Sequence, residues 1–161
     1  MDSGNGVRVC GDARLGPVIL PSCLPLTAVV AGSATYSRFG GICPGEFLSI
    51  WTNYASAGKI GWYFYPFADG FANNAAGIPI CRHMIIKPDP QVGRFGNAQG
   101  NFVASVGSPY NQRAFPPANL DLDVKDVSQV RYNYHVYKVK KPMVVIGGPV
   151  ALWFEQPGLG M

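Results

Sequence analysis

The sequence predicts an α+β, mainly β domain, with a mixed or antiparallel sheet core and a small disulfide-bearing N-terminal lobe. Three observations carry that expectation. The first is punctuation: 20 glycines and 14 prolines in 161 residues break the chain into short elements and ordered turns. The second is charge: only 14% of residues are charged, too few to supply the solvated faces of long amphipathic helices. The third is the run 132–140, where Tyr132, Tyr134, Val136, Lys138 and Lys140 alternate with Asn133, His135, Tyr137 and Val139. A period of two residues is that of a strand with two distinct faces. Apolar residues at 48% and aromatic residues at 12% are enough for a packed core and exclude a disordered chain.

The elements divide the chain into a cysteine-containing lobe over residues 1–59 and a sheet core over residues 60–161. The lobe is interrupted by Pro17, Pro21, Pro25 and Pro44, and its one clear helix spans residues 44–51. There a proline stands at the start, and Phe47, Ile50 and Trp51 share a face at i, i+3, i+4 spacing. In the core, strands are expected at 61–65, 101–106, 132–140, 142–146 and 150–154, rich in β-branched or aromatic residues, with Pro66, Gly107 and Gly147-Gly148-Pro149 closing or separating several of them.

Cys10, Cys23, Cys43 and Cys81 form no CxxC pair, and only His83 and His135 accompany them, so the spacing argues against zinc. An even number of cysteines gathered in the first 81 residues reads as two disulfides, with three connectivities open, and implies an oxidising compartment. Four buried free thiols are the alternative. The first six residues are polar and carry no signal-peptide core, and no apolar run is long enough to span a bilayer. The net charge of +4 comes from scattered residues, and the tightest group, Lys138, Lys140 and Lys141, reads as a solvated strand face. No nucleic-acid partner is therefore expected.

Three segments in the second half resist explanation by packing alone. In Gly93-Arg94-Phe95-Gly96, followed by Gly100-Asn101-Phe102, an arginine lies among glycines with aromatic neighbours. Backbone without side chains approaches a ligand closely, a guanidinium can fork onto phosphate, and an aromatic ring can stack on a planar one. In Pro109-Tyr110-Asn111-Gln112-Arg113-Ala114-Phe115-Pro116-Pro117, Arg113 sits in a proline-bounded loop as a second candidate for an anion. In Trp153-Phe154-Glu155-Gln156-Pro157-Gly158, polar residues close an apolar run before a glycine-rich stretch. Taken one at a time, the plainer reading is the stronger: Arg94 as a solvated turn residue and Arg113 as an ordinary surface arginine. No GxSxG elbow, Walker loop or GxGxxG is present.

Taken together, these segments resemble the tuberculosis-necrotizing-toxin (TNT) domain family, and in particular its fungal secreted or surface NAD glycohydrolases. Tyr134-His135-Val136-Tyr137 and Gly148-Pro149-Val150-Ala151-Leu152-Trp153-Phe154-Glu155-Gln156-Pro157-Gly158 complete the resemblance, in the family's order over residues 90–161. The runs 11–17, 36–41, 44–48 and 61–66 are similar to the extra lobe of the fungal members.

The resemblance implies cleavage of NAD or NADP at the nicotinamide–ribose bond, giving nicotinamide and ADP-ribose. It implies a catalytic or pyrophosphate-binding role for Arg94, nicotinamide-pocket positions at Phe95 and Phe102, and a phosphate contact at Arg113. The family's run usually continues through further glycines to a Gln–aromatic pair, so the core is expected to be C-terminally incomplete. Gln156 is then the one candidate catalytic glutamine within the chain. The calcium site of fungal members would also lie beyond the last residue, so neither metal nor cofactor is expected. The same resemblance implies a secreted or surface location and a homodimer. The alternatives are an ADP-ribosyltransferase toxin and an inactive binding or structural module of the same fold.

Overall fold

The structure, a computed structural model, describes residues 8–20, 36–53, 61–96, 98–121 and 134–161. Among them are one helix, α1 (Pro44–Trp51), and five strands: β1 (Arg82–Ile86), β2 (Gln91–Phe95), β3 (Ala104–Ser105), β4 (Tyr134–Lys138) and β5 (Met143–Gly147). The sheet-rich α+β class expected from the sequence is present.

The organising element is an antiparallel ribbon. β1 pairs with β5 and β2 with β4; Ile86 faces Met143 and Gln91 faces Lys138, so one register runs through both halves. Pro88, Pro90 and Pro142 lie in the interruption between them and cannot donate to the ladder. Val139 bridges the gap, its N–H donating to the Pro90 carbonyl (3.1 Å) and its carbonyl accepting from the Asp89 N–H (3.0 Å). β3 adds a third strand to the β2–β4 half, with Val92 opposite Ser105.

Several expected elements take another form. The helix at 44–51 forms with the expected bounds: Pro44 opens it, Cys43 Sγ accepts from the Glu46 N–H, and Thr52 Oγ1 donates to the Leu48 carbonyl at its end. It buries Phe47 and leaves Ile50 largely in solvent. The strand expected at 61–65 is reduced to a single bridge between Tyr63 and Thr52, because the Tyr63 ring is drawn into the core. The run 150–154 is likewise not a strand. Val150 bridges Phe71, and the chain then turns between Trp153 and Gln156 with Phe154 and Glu155 both at positive φ (50° and 56°). The strand expected at 101–106 shrinks to the two residues of β3. β1 and β2 were not expected at all.

Two aromatic clusters form the core. Phe95, Tyr110, Leu120 and Tyr134 make one; Leu15, Phe47, Tyr63 and Phe154 make the other. Their rings meet edge-on or tilted, as between Phe95 and Tyr110 (centroids 4.9 Å apart) and Tyr63 and Phe154 (5.1 Å), the arrangement the ring quadrupoles favour. The second cluster interleaves Leu15 and Phe47 with Tyr63 and Phe154, so the N-terminal lobe expected for residues 1–59 has no separate core among the described residues.

The expected disulfides are also absent there: Cys10, Cys43 and Cys81 are exposed and free, and Cys23 lies outside the described residues. The three thiols stand on separate elements, and that of Cys43 is engaged as the cap of α1. The N-terminal segment is fastened instead by Arg14. Its guanidinium binds the Asp12 carboxylate (2.7 Å), Thr52 Oγ1 (3.2 Å) and the Gly61 carbonyl (3.0 Å), while its own carbonyl accepts from the Tyr63 hydroxyl. Gly16 lies so close to Pro117 that a Cβ there would overlap the Pro117 carbonyl.

Burial raises the hydroxyl pKa values of Tyr36, Tyr63, Tyr110 and Tyr134 above the ordinary tyrosine value. The folded state thus prefers these groups protonated, and their contribution is fully present below the unfolded pKa of about 10 and falls away as pH rises beyond it. Urea midpoints measured from pH 7 to 11 are therefore expected to stay level to about pH 10 and then drop. A midpoint still level at pH 11 would contradict this.

Candidate functional site

A cleft of roughly 1350 Å³ is lined by both halves of the ribbon, by β3 and by the last residues of the chain. Alternation along β1 brings Arg82, Met84 and Ile86 to its wall, where Val145 and Ile80 add further apolar surface. Its charged lining residues are Arg82, Arg94, Arg113 and Asp69, a net positive set.

Arg94 is on β2, with His135 of β4 as its register partner, rather than in the expected glycine turn. Strand placement fixes its direction more tightly than a loop would. Gly96, at φ 95°, then turns the chain, and the following loop folds back so that Arg94 Nη1 donates to the Phe102 carbonyl (2.8 Å). Tyr137 of β4 pins this loop from the neighbouring strand, its hydroxyl donating to the Ala98 carbonyl (2.7 Å). The Phe102 ring is 53% exposed on the cleft wall. The structure therefore brings Arg94 and Phe102 together at one face of the cleft.

Phe95 and Arg113 sit deeper. Phe95 also contributes to the lining, but its ring is 2% exposed and packs on Tyr134 (4.5 Å between centroids) and Tyr110. Arg113 is 3% exposed, and its guanidinium donates to three backbone carbonyls: Ser108 through Nε (3.0 Å), Gly93 through Nη1 (2.9 Å) and Ser105 through Nη2 (2.9 Å). It lies against the rings of Phe95 and Tyr134, 5.5 and 5.8 Å from their centroids. Burial lowers its pKa, and the carbonyls and ring faces supply the negative potential that keeps a guanidinium charged there. Arg113 thus ties β2, β3 and the 110–113 turn into one wall.

Gln156 is placed elsewhere. It is 2% exposed, its Nε2 donates to the Ser37 carbonyl (2.7 Å), and it does not line the cleft. Its turn docks because Gly40 has no side chain to collide with Glu155. From that turn the glycine-rich segment runs back towards the site. The Gly158 N–H donates to the Asn111 carbonyl (3.2 Å) and that of Gly160 to the Gln112 carbonyl (3.0 Å), which brings Gly160 and Met161 to the cleft.

Sequence reasoning missed Arg82 and the pairing of Gly93 with Tyr134. A Cβ at Gly93 would overlap the Tyr134 hydroxyl, so this glycine admits the ring that backs the wall. The available signal was the tyrosine on the alternating run 132–140, but its register against β2 could not be read from one strand. Among the described residues no group of three His, Cys, Asp or Glu side chains is placed to hold a metal ion. Nor does any helix among them have the length and apolarity to cross a membrane.

Comparison with known proteins points the same way as the motifs. The model described as Tuberculosis necrotizing toxin matches residues 85–161, which hold β2 to β5 and the whole Arg94 wall. These residues are similar to a TNT domain. The chain is also similar to a protein of Aspergillus fumigatus described as a conidial surface nicotinamide adenine dinucleotide glycohydrolase, at 44% identity over 156 residues. That alignment covers 97% of this chain and 63% of the relative, so the chain spans under two thirds of the relative's length. The residues ahead of the matched region supply three of the four buried members of the second aromatic cluster, Leu15, Phe47 and Tyr63.

The geometry separates framing residues from cleft residues. Arg113→Met is expected to lose about 3 kcal/mol of unfolding free energy, because the buried Gly93 carbonyl and two part-buried ones lose their donor. Gln156→Ala is expected to cost about 1–3 kcal/mol by exposing the Ser37 carbonyl to the same fate. Urea unfolding of each variant measures both, and wild-type midpoints would contradict the assignment.

Proposed function

We propose that the cleft cleaves NAD, or its 2′-phosphorylated form, at the nicotinamide–ribose bond, releasing nicotinamide and ADP-ribose. The observation that carries this reading is Arg94 held by the Phe102 carbonyl, beside the exposed Phe102 side chain, in a net positive, largely apolar cleft within a region similar to TNT domains and to an NAD glycohydrolase. The volume exceeds the several hundred cubic ångströms of a typical small-ligand site and suits a dinucleotide.

The reaction asks little acid–base work of the protein. Nicotinamide leaves as a neutral ring from a cationic one, so its departure needs no protonation, and the barrier lies in an oxocarbenium-like ribose. A site accelerates this by holding the diphosphate and the ring so that water meets the ribose carbon in line. Arg94 supplies the charge for the diphosphate, with Arg82 adding a second cation from β1. Phe102 supplies a face for the nicotinamide ring. Phe95 serves as the base of this wall, and Arg113 serves from behind, because its donors are committed to the carbonyls of Gly93, Ser105 and Ser108. The geometry offers no support for Gln156 as the catalytic glutamine. The similarity to a conidial surface protein supports a surface or secreted location.

The full-length protein is expected to consume NAD with water as the only acceptor, which separates hydrolysis from ADP-ribosyl transfer to a macromolecule. Arg94→Ala is expected to lower kcat/KM by about a hundredfold or more, the usual cost of removing a charged donor from the reacting site. Phe102→Ala is expected to raise KM chiefly. Nicotinamide and ADP-ribose quantified over time measure both, and undiminished turnover by Arg94→Ala overturns the reading.

A further inference from the structure

Gly100 lies directly against the Arg94 guanidinium. A Cβ built on it would fall within that group, overlapping Nη2 and Cζ. No other glycine near the cleft bears on Arg94 so closely: Gly96 would place its Cβ 3.7 Å from Nη2, an ordinary contact. The backbone at Gly100 is not in the left-handed region. Alanine would therefore be compatible with its conformation, and what a side chain would disturb is the arginine. The same loop supplies the Phe102 carbonyl to Arg94 Nη1 and is held by the Tyr137 hydroxyl at Ala98. Residues 98–102 thus act as a collar: one strand carries the arginine, the next strand pins the loop at Ala98, and the bare backbone of Gly100 sets where the guanidinium lies.

We propose that Gly100 is a positioning residue for the reaction, acting through Arg94, whose guanidinium reaches its working place only because Gly100 has no side chain. The inference rests on the assignment of Arg94 to the substrate diphosphate. A Cβ would move the guanidinium by about the width of the added carbon, and displacements of about 1 Å at a reacting site cost on the order of a hundredfold in rate. Tyr137 supports the same geometry from outside the cleft.

The test is a double-substitution cycle on the full-length protein, read by nicotinamide release from NAD and by thermal midpoint. Gly100→Ala is expected to reduce kcat/KM by about a hundredfold. Gly107→Ala, where an added Cβ meets nothing within 4 Å, is expected to leave turnover unchanged, and the two variants are expected to share the wild-type midpoint. Tyr137→Phe is expected to reduce turnover by about tenfold, the worth of one hydrogen bond. Adding Gly100→Ala or Tyr137→Phe to Arg94→Ala is expected to cause no further loss, because both act through the arginine. Wild-type turnover by Gly100→Ala, or a second full loss in the double variant, overturns the inference while leaving Arg94 in place. Undiminished turnover by Arg94→Ala alone overturns the assignment beneath it, and the inference with it.

Discussion

The structure of the site depends on one buried guanidinium. Arg113 reaches across the domain to the carbonyls of Gly93 on β2, Ser105 on β3 and Ser108 beyond it. Gly93 lies in the middle of the central strand, Ser105 ends β3, and Ser108 follows in the turn beyond it. Leaving the buried Gly93 carbonyl and the two part-buried serine carbonyls without this donor would be costly. Arginine meets the need because its fork carries several donors in one plane and keeps its charge when buried. Phe95 and Tyr134 complete the arrangement by lying against the cation.

From that constraint the outer wall follows. With β2 held between β3 and β4, Arg94 projects from a strand rather than from a loop, and its partner at Phe102 is reached by a short return of chain. Close backbone approach is then needed at several points, and glycine stands at each: Gly93 beneath the Tyr134 hydroxyl, Gly100 beneath the Arg94 guanidinium, and Gly160 with its Cβ position 2.7 Å from the Gln112 carbonyl. The two arginines divide the work between them. One is spent on holding the wall together, and the other is offered to the cleft.

The helix at 44–51 and the strands β4 and β5 were legible because local chemistry and pattern agree there: a capped proline start, a two-residue alternation, and an apolar run after Pro142. β1 and β2 were not legible. β1 is exposed on both faces, so no alternation marks it, and β2 contains Gly93 beside Arg94, which in isolation reads as a turn. The 150–154 run has strand composition, yet Phe154 is worth more in the aromatic core than in a ladder, and the chain accepts two positive-φ residues to put it there. Arg94 and Phe102 were found through their motif and meet at the cleft. Arg113 was found too, but burial is a tertiary fact, and a single sequence does not say whether an arginine faces solvent, ligand or carbonyl. The surrounding Phe95, Tyr110, Phe115 and Tyr134 were the available hint. The cysteines misled for a related reason, since an even count states nothing about whether thiols meet in space.

The division of labour between the two arginines is tested most directly by a crystal structure of the full-length protein with ADP-ribose bound. The account predicts the diphosphate within hydrogen-bond reach of the Arg94 guanidinium, beside the Phe102 ring, with Arg113 still on the carbonyls of Gly93, Ser105 and Ser108. A diphosphate seated on Arg113, or a ligand bound away from the Arg94 wall, would contradict it.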